Sequence, residues 1–230
     1  LHHDPAGAPY ADRLAMSRAL AEAAVQTGIG LTVLPVLYER AGFGLARLRD
    51  DQRRFATRVE EVLALRDGLR ALRLPHVGAG VAIHSLRAAA PDSIRALVQA
   101  VKGDPAPIHI HVAEQTAEVA DCQAATGARP IEWLTGEVPL DERWQLVHAT
   151  HATPPEIQAV AATGAGVVLC PGTEANLGDG LCDLPGWLAA GVPLSLGSDS
   201  QVIRNWPEEL RWLEYGCLLY TSDAADERSS

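Results

Sequence analysis

The chain alternates short apolar runs with longer segments in which apolar residues recur at helical spacing. The short runs predict six β-strands, because apolar runs of this length bounded by turn residues are typical of buried strands. The predicted strands cover residues 29–37, 78–84, 107–113, 144–149, 165–170 and 192–197. The longer segments predict helices at residues 11–27, 51–72, 91–102, 115–125, 130–136, 154–163, 183–190 and 207–218.

The predicted strands are apolar on both faces, as parallel strands covered by helices must be. Strands that alternate with helices in this way indicate repeated βα units and an α/β fold. The pattern alone fits an open doubly wound sheet as well as a closed barrel. No Gly-x-Gly-x-x-Gly motif follows the first predicted strand to favour a dinucleotide-binding fold.

Polar residues cluster where the predicted strands end. They are Tyr38, then His84 and Arg87, then His111 and Glu114, then His148 and His151, then Glu174 and Asn176, and finally Asp199. In a barrel of parallel strands, side chains at the carboxyl ends converge on one mouth, where such folds place their active sites. Scattered surface histidines do not follow strand ends in this way.

The segment around His111 carries the clearest chemical signal. Strand alternation points His109 and His111 to the same side, and Glu114 follows one turn later. A histidine and a carboxylate at this spacing suit a metal ligand with an adjacent acid–base group, although a solvated turn is the simpler alternative. His148 is the better placed of the next two histidines to face the mouth, because His151 begins the loop; either could instead be structural.

Two further strand ends add opposite charges. Asp199 is a hard anionic ligand that could bind a metal and accept a proton, or it could cap the following helix. Arg87 carries a permanent positive charge and could bind a carboxylate through two parallel hydrogen bonds, or it could be a surface residue beside acidic groups. The order His-x-x-Glu, then His, then Asp on successive strands indicates a metal-assisted hydrolase that attacks a carbon bound to nitrogen.

The net charge, the lengths of the apolar runs and the cysteines indicate which partners and which compartment to expect. The formal net charge is −10 and the sequence pI is about 5.2, which argues against binding to nucleic acid. No apolar run is long enough to predict a membrane span. The four cysteines do not form a CxxC pattern, so free thiols in a reducing cytoplasm are expected.

Seven segments together carry a family resemblance. They are Leu34–Tyr38 with Ala41–Gly44, His84–Ala88, His109–Gln115, Leu146–His151, Thr173–Gly180, Gly197–Ser200 and Glu208–Gly216. Over residues 1–216 the sequence resembles the amidohydrolase superfamily, in its branch of single-zinc deaminases. Within that branch it resembles the formimidoylglutamate deiminases of bacterial histidine degradation.

The resemblance implies an α/β fold of the (β/α)8 TIM-type barrel kind, incomplete here, with about strands 3–8 present. It implies one Zn²⁺ per subunit, with His111 and Asp199 as ligands. Asp199 and His148 would accept the proton of the activated water, and Glu114 would protonate the departing nitrogen. Arg87, helped by His84, would hold the carboxylate of a small anionic substrate. The family also implies a homodimer for the full-length protein.

Two departures from the family pattern lead to further expectations. The family's first barrel strand carries His-x-His, which supplies two more zinc ligands, and no such strand precedes the matched region here. We therefore expect residues 1–230 alone to be poorly stable, to bind zinc weakly and to be inactive. After the partial barrel of residues 1–216, residues 217–230 read as a non-native tail produced by sequencing read-through.

Two other functions fit the same motifs. A related deaminase that acts on guanine or another heterocycle would share His111, Glu114, His148 and Asp199, but it would have no use for Arg87 as a carboxylate partner. The alternative from a different class is a non-catalytic α/β domain in which the histidines are structural.

Overall fold

The computed structural model describes residues 2–221. The strands within this part are β1 (Leu31–Val33), β2 (Val36–Leu37), β3 (Val77–Ala79), β4 (Val81–Ile83), β5 (Ile108–Val112), β6 (Trp144–His148), β7 (Gly166–Leu169) and β8 (Leu194–Leu196). The helices are α1 (Ala15–Thr27), α2 (Val59–Ala71), α3 (Pro91–Ala100), α4 (Thr116–Thr126), α5 (Pro130–Glu137), α6 (Pro154–Ala161), α7 (Pro171–Leu177), α8 (Leu184–Ala189) and α9 (Trp206–Thr221), with a 3₁₀ helix at Asp50–Phe55. The chain divides into two compact units, residues 1–110 and 111–230.

The first unit is built on parallel strand pairs. β1 pairs with β3, β2 with β4, and β4 with β5, with Val36 opposite Ala82 and Val81 opposite Ile108. Helix α1 ends at Gly28 in the left-handed conformation (φ 73°), which is typical of a glycine C-cap and agrees with the predicted helix end at residue 27. Parallel strands alternating with helices confirm the α/β class.

Two predicted strands of this unit are each interrupted. The segment 29–37 was expected to be one strand, but Leu34 and Pro35 separate β1 from β2, and a proline has no N–H to donate to a ladder. The segment 78–84 breaks at Gly80, where an added Cβ would collide with the carbonyl oxygen of Pro107. The strands therefore divide where the backbone of one neighbour approaches closely.

The predicted helix at 51–72 is also divided, into the 3₁₀ helix and α2. The hydroxyl of buried Thr57 donates to the carbonyl of Val36 at 2.6 Å and accepts from the amide of Tyr38 at 2.8 Å. This residue is bonded to the β2 segment instead of to a helical turn. Helix α2 then begins afresh, with Glu61 accepting a hydrogen bond from the amide of Arg58.

The second unit continues the same architecture. β6 pairs with β7 and β7 with β8, all in parallel, with Gln145 opposite Gly166 and Val167 opposite Leu194. Its core includes the fully buried side chains of Trp144 and Trp187. Burial of apolar side chains of this size contributes roughly 1.5–3 kcal/mol each.

Helix α7 was not predicted. No helix was predicted between residues 163 and 183. The structure shows a helix that opens with Pro171 at its first position and ends at Gly178 in the left-handed conformation (φ 73°). This proline-first, glycine-last arrangement is a sequence signal for a helix that could have located it.

Helix α9 crosses the predicted boundary between the partial barrel, residues 1–216, and the tail, residues 217–230. The helix runs without a break from Trp206 to Thr221, so the boundary falls inside it. Residues 222–230 lie outside the described residues, and the non-native origin of the tail remains a prediction.

The cysteines and the helices were compared with what the sequence predicts for them. All four cysteines are free thiols: Cys122, Cys170 and Cys182 are buried and Cys217 is partly buried. Among residues 2–221, no helix is both long enough and apolar enough to cross a membrane.

Candidate active site

The strand ends of the second unit carry unusual backbone conformations. Ala113 follows β5, His148 and Ala149 stand at the end of β6, and Asp199 follows β8; their φ values are 52°, 70°, 51° and 44°. Residues with a Cβ rarely occupy this left-handed region, at a cost of roughly 1–3 kcal/mol each. Such strain is typical of functional sites, where the surrounding structure holds a side chain in a required direction.

Strand β5 presents its two histidines as the sequence predicts. Ile108, Ile110 and Val112 are buried, whereas His109 and His111 share the other side of the strand and are half-buried. The loop that follows is held by a buried carboxylate. The two oxygens of Glu118 accept hydrogen bonds from the amides of Ala113 and Glu114 at 3.1 and 2.9 Å.

The imidazole of His148 is the centre of the cluster. Only 1% of its surface is exposed, and its ring stacks on that of His111 with centroids 5.5 Å apart. Its Nε2 lies 3.7 Å from Oε1 of Glu114 and 3.8 Å from Oδ2 of Asp199. These distances are too long for hydrogen bonds but short enough for strong electrostatic interaction. The four residues predicted from the order of the motifs, His111, Glu114, His148 and Asp199, are thus brought together.

The pKa values of Glu114 and of His148 are both raised, but for different reasons. Burial raises the pKa of Glu114; the neighbouring His148 opposes this shift, and the charge of Asp179 adds to it. Burial alone would lower the pKa of His148, but its hydrogen bond to Glu174 and the charges of Glu114, Glu174 and Asp199 together raise it. Both side chains therefore hold a proton to higher pH than they would in water.

The structure shows the contacts of His151 and of the turn that carries Asp199, for which the sequence left alternatives open. His151 donates from Nε2 to the carbonyl of Asp179 at 2.8 Å, which is the structural role considered for it. Asp199 does not cap a helix, because the next helix is α9, and its start is capped by Asn205, whose Oδ1 accepts from the amide of Glu208 at 3.0 Å.

Glu174 belongs to the cluster, although the sequence analysis gave it no role. Its Oε1 accepts from the backbone amide of Cys170 at 2.9 Å and lies 3.1 Å from Nδ1 of His148. The available signal was its position at the start of a short helix directly after a buried strand. Cys170 and Thr173, which belong to the same turn, were also not among the predicted site residues.

The structure offers two sets of metal donors. Among the described residues, one group of three, His148, Cys170 and Glu174, has its donor atoms within 4.8 Å of one another. Two of these side chains already hydrogen-bond to each other, so Nδ1 of His148 is engaged by Glu174. His111 and Asp199 offer the imidazole and carboxylate donors that zinc prefers, and both lie beside His148. We therefore favour the second set.

The predicted substrate-binding residues lie in the first unit. The ring of His84 packs edge-on against Tyr38 at 4.6 Å between centroids, and both side chains line a cavity of about 410 Å³. The loop after β4 is held by Arg40, which donates to the carbonyl of Arg87 at 3.0 Å. Within the part of the chain that the structure describes, no carboxylate forms an ion pair with the guanidinium of Arg87.

Curated proteins similar to this chain are deaminases and a deiminase. The chain is 51% identical over 217 residues to the formimidoylglutamate deiminase of Pseudomonas aeruginosa, covering 94% of this chain and 48% of that protein. It is 31% identical over 166 residues to a 5-methylthioadenosine/S-adenosylhomocysteine deaminase of Natronomonas pharaonis, covering 72% and 38%. The chain spans about half the length, or less, of these two relatives.

Solved structures support the fold. An amidohydrolase from Brucella melitensis superposes with a TM-score of 0.90 at 45% identity, covering 96% of this chain and 49% of that one. An adenosine deaminase from Xanthomonas campestris with bound zinc gives a TM-score of 0.74 at 24% identity, covering 91% and 46%. The predicted fold class, an incomplete α/β barrel, is confirmed by the first of these likenesses.

The family itself is identified by a match along almost the whole chain. The sequence model of the amidohydrolase family matches residues 5–227. This match includes the ends of β5, β6 and β8, from which the clustered side chains project. The resemblance seen in the sequence is confirmed, and the chain belongs to the amidohydrolase family.

Proposed function

We propose that the complete protein carrying these residues hydrolyses N-formimidoyl-L-glutamate to N-formyl-L-glutamate and ammonia, a step of histidine degradation. The observation that carries the reaction type is the convergence of Glu114 and Asp199 on Nε2 of His148, at 3.7 and 3.8 Å. The choice of substrate is supported by the 51% identity to a formimidoylglutamate deiminase and by the guanidinium of Arg87, which has no carboxylate partner among residues 2–221.

A zinc ion would be held by His111 and Asp199, one ion per subunit, together with ligands from outside the described residues. When bound, it would supply a water molecule of lowered pKa as the nucleophile. Both proposed ligands stand beside His148, and their donor atoms are of the types that zinc binds in hydrolases.

Asp199 and His148 would accept the proton of the attacking water. The imidazole of His148 has its Nδ1 engaged by Glu174, which leaves Nε2 directed toward Asp199 and Glu114. A protonated His148 is stabilised by the three surrounding carboxylates that raise its pKa. The same cation would stabilise negative charge that develops on the substrate in the transition state.

Glu114 would act as the general acid. Burial raises its pKa, so a larger fraction of this carboxyl is protonated near neutral pH than in water. Its Oε1 lies 3.7 Å from Nε2 of His148, so the general acid and the group that accepts the proton of water would stand side by side. Protonation of the departing nitrogen by Glu114 lets it leave as ammonia instead of as an amide anion.

Arg87 and His84 would bind the carboxylate of the substrate. A guanidinium can donate two parallel hydrogen bonds to a carboxylate, which fixes orientation as well as affinity. Arg87 has no carboxylate partner within residues 2–221, and its loop is held in place by Arg40. A free cation on a braced loop suits recognition of a small anionic molecule.

The second candidate is deamination of a purine or a related heterocycle, such as guanine. The observation that favours it is the 31% identity to a 5-methylthioadenosine/S-adenosylhomocysteine deaminase. The hydrolytic residues would serve this reaction equally well, because it too displaces ammonia from a carbon bound to nitrogen. Arg87 would then have no carboxylate to bind.

The discriminating experiment is ammonia release by the product of the complete open reading frame that encodes these residues, with N-formimidoyl-L-glutamate and guanine tested in parallel. We expect turnover of the first substrate alone. We expect Arg87→Gln to raise KM by about 10–100-fold, the worth of a charged hydrogen-bonded pair, and Arg87→Lys to raise it less. Turnover of guanine alone would contradict the substrate proposal and favour the second candidate.

We also propose that this protein acts in the cytoplasm as a homodimer, without nucleic-acid or membrane partners. The free thiols of all four cysteines and the net charge of −10 support the compartment and the absence of nucleic acid. The homodimer rests on the resemblance to the family.

A further inference from the structure

The first turn of α7 contacts both of the strand ends on which the proposed chemistry depends. Thr173 and Glu174 are neighbours in this turn, and 1% and 4% of their surfaces are exposed. One side chain reaches the end of β6 and the other reaches the turn after β8. Thr173 has no part in the proposed reaction, and Glu174 enters it only through its contact with His148.

Glu174 fixes the imidazole of His148. Its Oε1 lies 3.1 Å from Nδ1 of His148 and accepts from the amide of Cys170 at 2.9 Å. A carboxylate can only accept at this site, so Nδ1 carries the hydrogen and the lone pair of a neutral ring lies on Nε2. The tautomer that leaves Nε2 free to accept a proton is thereby selected.

Thr173 fixes the turn that carries Asp199. Its hydroxyl accepts from the amide of Ser200 at 3.2 Å, and it lies 2.9 Å from the hydroxyl of Ser200 and 3.3 Å from the carbonyl of Ser198. These contacts flank Asp199 on both sides. The residue between them has a φ of 44°, a strained conformation that relaxes unless its neighbours are restrained.

The turn that carries Thr173 and Glu174 is itself anchored. The amide of Gly172 donates to Oε2 of Glu209 on α9 at 2.8 Å. A Cβ at Gly172 would stand 2.6 Å from Cδ1 of Ile203 and 2.9 Å from Oε1 of Glu209, so these two side chains pack closely against the turn. The first turn of α7 is therefore a rigid base against which two strand ends are held.

We propose that Thr173 and Glu174 are positioning residues, which set the direction of the Asp199 carboxylate and of Nε2 of His148 toward each other and toward Glu114. Their effect on rate rests on the proposed hydrolytic function, but their effect on geometry does not. Residues that orient functional side chains typically change activity by about 10–100-fold when they are removed. Misplacement by about 1 Å has a comparable effect.

The test replaces the hydroxyl of Thr173 without changing its shape. Thr173→Val removes the three contacts to Ser198 and Ser200, whereas Thr173→Ser keeps the hydroxyl. The matched control is Thr163→Val, because Thr163 precedes β7 and uses its hydroxyl in the same way, donating to Val160 at 2.7 Å and accepting from Ala165 at 3.1 Å. All variants are made in the complete open reading frame, and kcat, KM and thermal midpoint are measured with N-formimidoyl-L-glutamate.

We expect Thr173→Val to lower kcat by about 10–100-fold with KM within about threefold, because Arg87 and not Thr173 is proposed to bind the substrate. Thr173→Ser should recover most of the loss. Thr163→Val should leave kcat unaltered while lowering the thermal midpoint by a similar amount. Equal losses of kcat in Thr173→Val and Thr163→Val, or no recovery by serine, would overturn the proposal.

Glu174 gives an independent check. Glu174→Gln keeps an acceptor oxygen for Nδ1 of His148 and for Cys170, and Glu174→Leu removes it at similar volume. We expect the leucine variant to lose about 10–100-fold in kcat and the glutamine variant to lose less. The opposite order would contradict a role in orienting the ring.

The geometric readout separates this proposal from the proposed function. If the unaltered protein releases ammonia from neither substrate, the proposed function fails, and crystal structures of Thr173→Val and Thr173→Ser then decide the positioning. We expect the Asp199 carboxylate to move by about 1 Å or more in the valine variant only. An unmoved Asp199 in that variant would refute the positioning role of Thr173.

Discussion

Glu114 shows how a single residue acquires a function from its surroundings. The amide that precedes its side chain is fixed by Glu118, and the carboxyl group is only 14% exposed. Burial raises its pKa, with His148 opposing the shift. The same residue on an exposed loop would be ionised throughout the neutral pH range and could not donate a proton.

Replacement of Glu114 tests this role. Glu114→Gln keeps the volume but removes the transferable proton, so we expect kcat to fall by about 10²–10⁴-fold with little change in thermal midpoint. Because the acid form of a carboxyl with a raised pKa is lost only as pH rises through that pKa, kcat of the unaltered protein should decline on the alkaline side. A pH–rate profile of both proteins provides the measurement, and a variant that keeps full activity would exclude Glu114 as the acid.

At the scale of elements, the predictions succeeded where one local signal dominated. Gly28 ends α1 in the left-handed conformation, and Pro91, Pro130 and Pro154 each open a helix at the first position. They failed where a distant residue decided the outcome. Thr57 interrupts a helical pattern because its hydroxyl bonds to Val36 and Tyr38, a contact between residues about 20 positions apart that periodicity cannot reveal.

Gly80 offers a test of such a distant constraint. An added Cβ would collide with the carbonyl of Pro107 and stand 2.9 Å from a methyl group of Leu34. We expect Gly80→Ala to lower the free energy of unfolding by about 1–3 kcal/mol. Gly136 is the matched control, because it is exposed in α5 with open space around it, and Gly136→Ala should leave stability equal or about 0.5–1 kcal/mol higher. Urea unfolding followed by circular dichroism compares the two; equal effects would contradict the packing argument.

At the scale of the whole molecule, the sequence located the side chains that cluster at the strand ends but not the residues that hold them. His111, Glu114, His148 and Asp199 could be predicted because each ends a strand in a recognisable motif. The supporting roles of Thr173, Glu174 and Glu209 could not be predicted, because they depend on hydrogen bonds to Ser200, His148 and Gly172 that join separate strands and helices. Reacting residues leave motifs in sequence, whereas the residues that orient them are recognised from contacts.

The count of metal donors leads to a prediction for the 230-residue chain. Catalytic zinc generally has three protein ligands, and His111 and Asp199 are the two proposed here. We therefore expect this chain alone to bind zinc weakly and without stable stoichiometry, and the product of the complete open reading frame to retain about one ion per subunit. Dialysis against a chelator followed by metal analysis gives both values. Tight, stoichiometric zinc on the 230-residue chain would refute the ligand assignment.

The left-handed residues at the strand ends impose a conflict between durability and turnover. Ala113, His148, Ala149 and Asp199 each hold the backbone in a conformation that costs about 1–3 kcal/mol. Substitutions that let these peptides relax would make the fold harder to unfold. The same movement would turn the clustered side chains away from one another. If variants of this protein were selected separately for heat resistance and for catalysis, the two sets of sequences would therefore diverge first around these four positions.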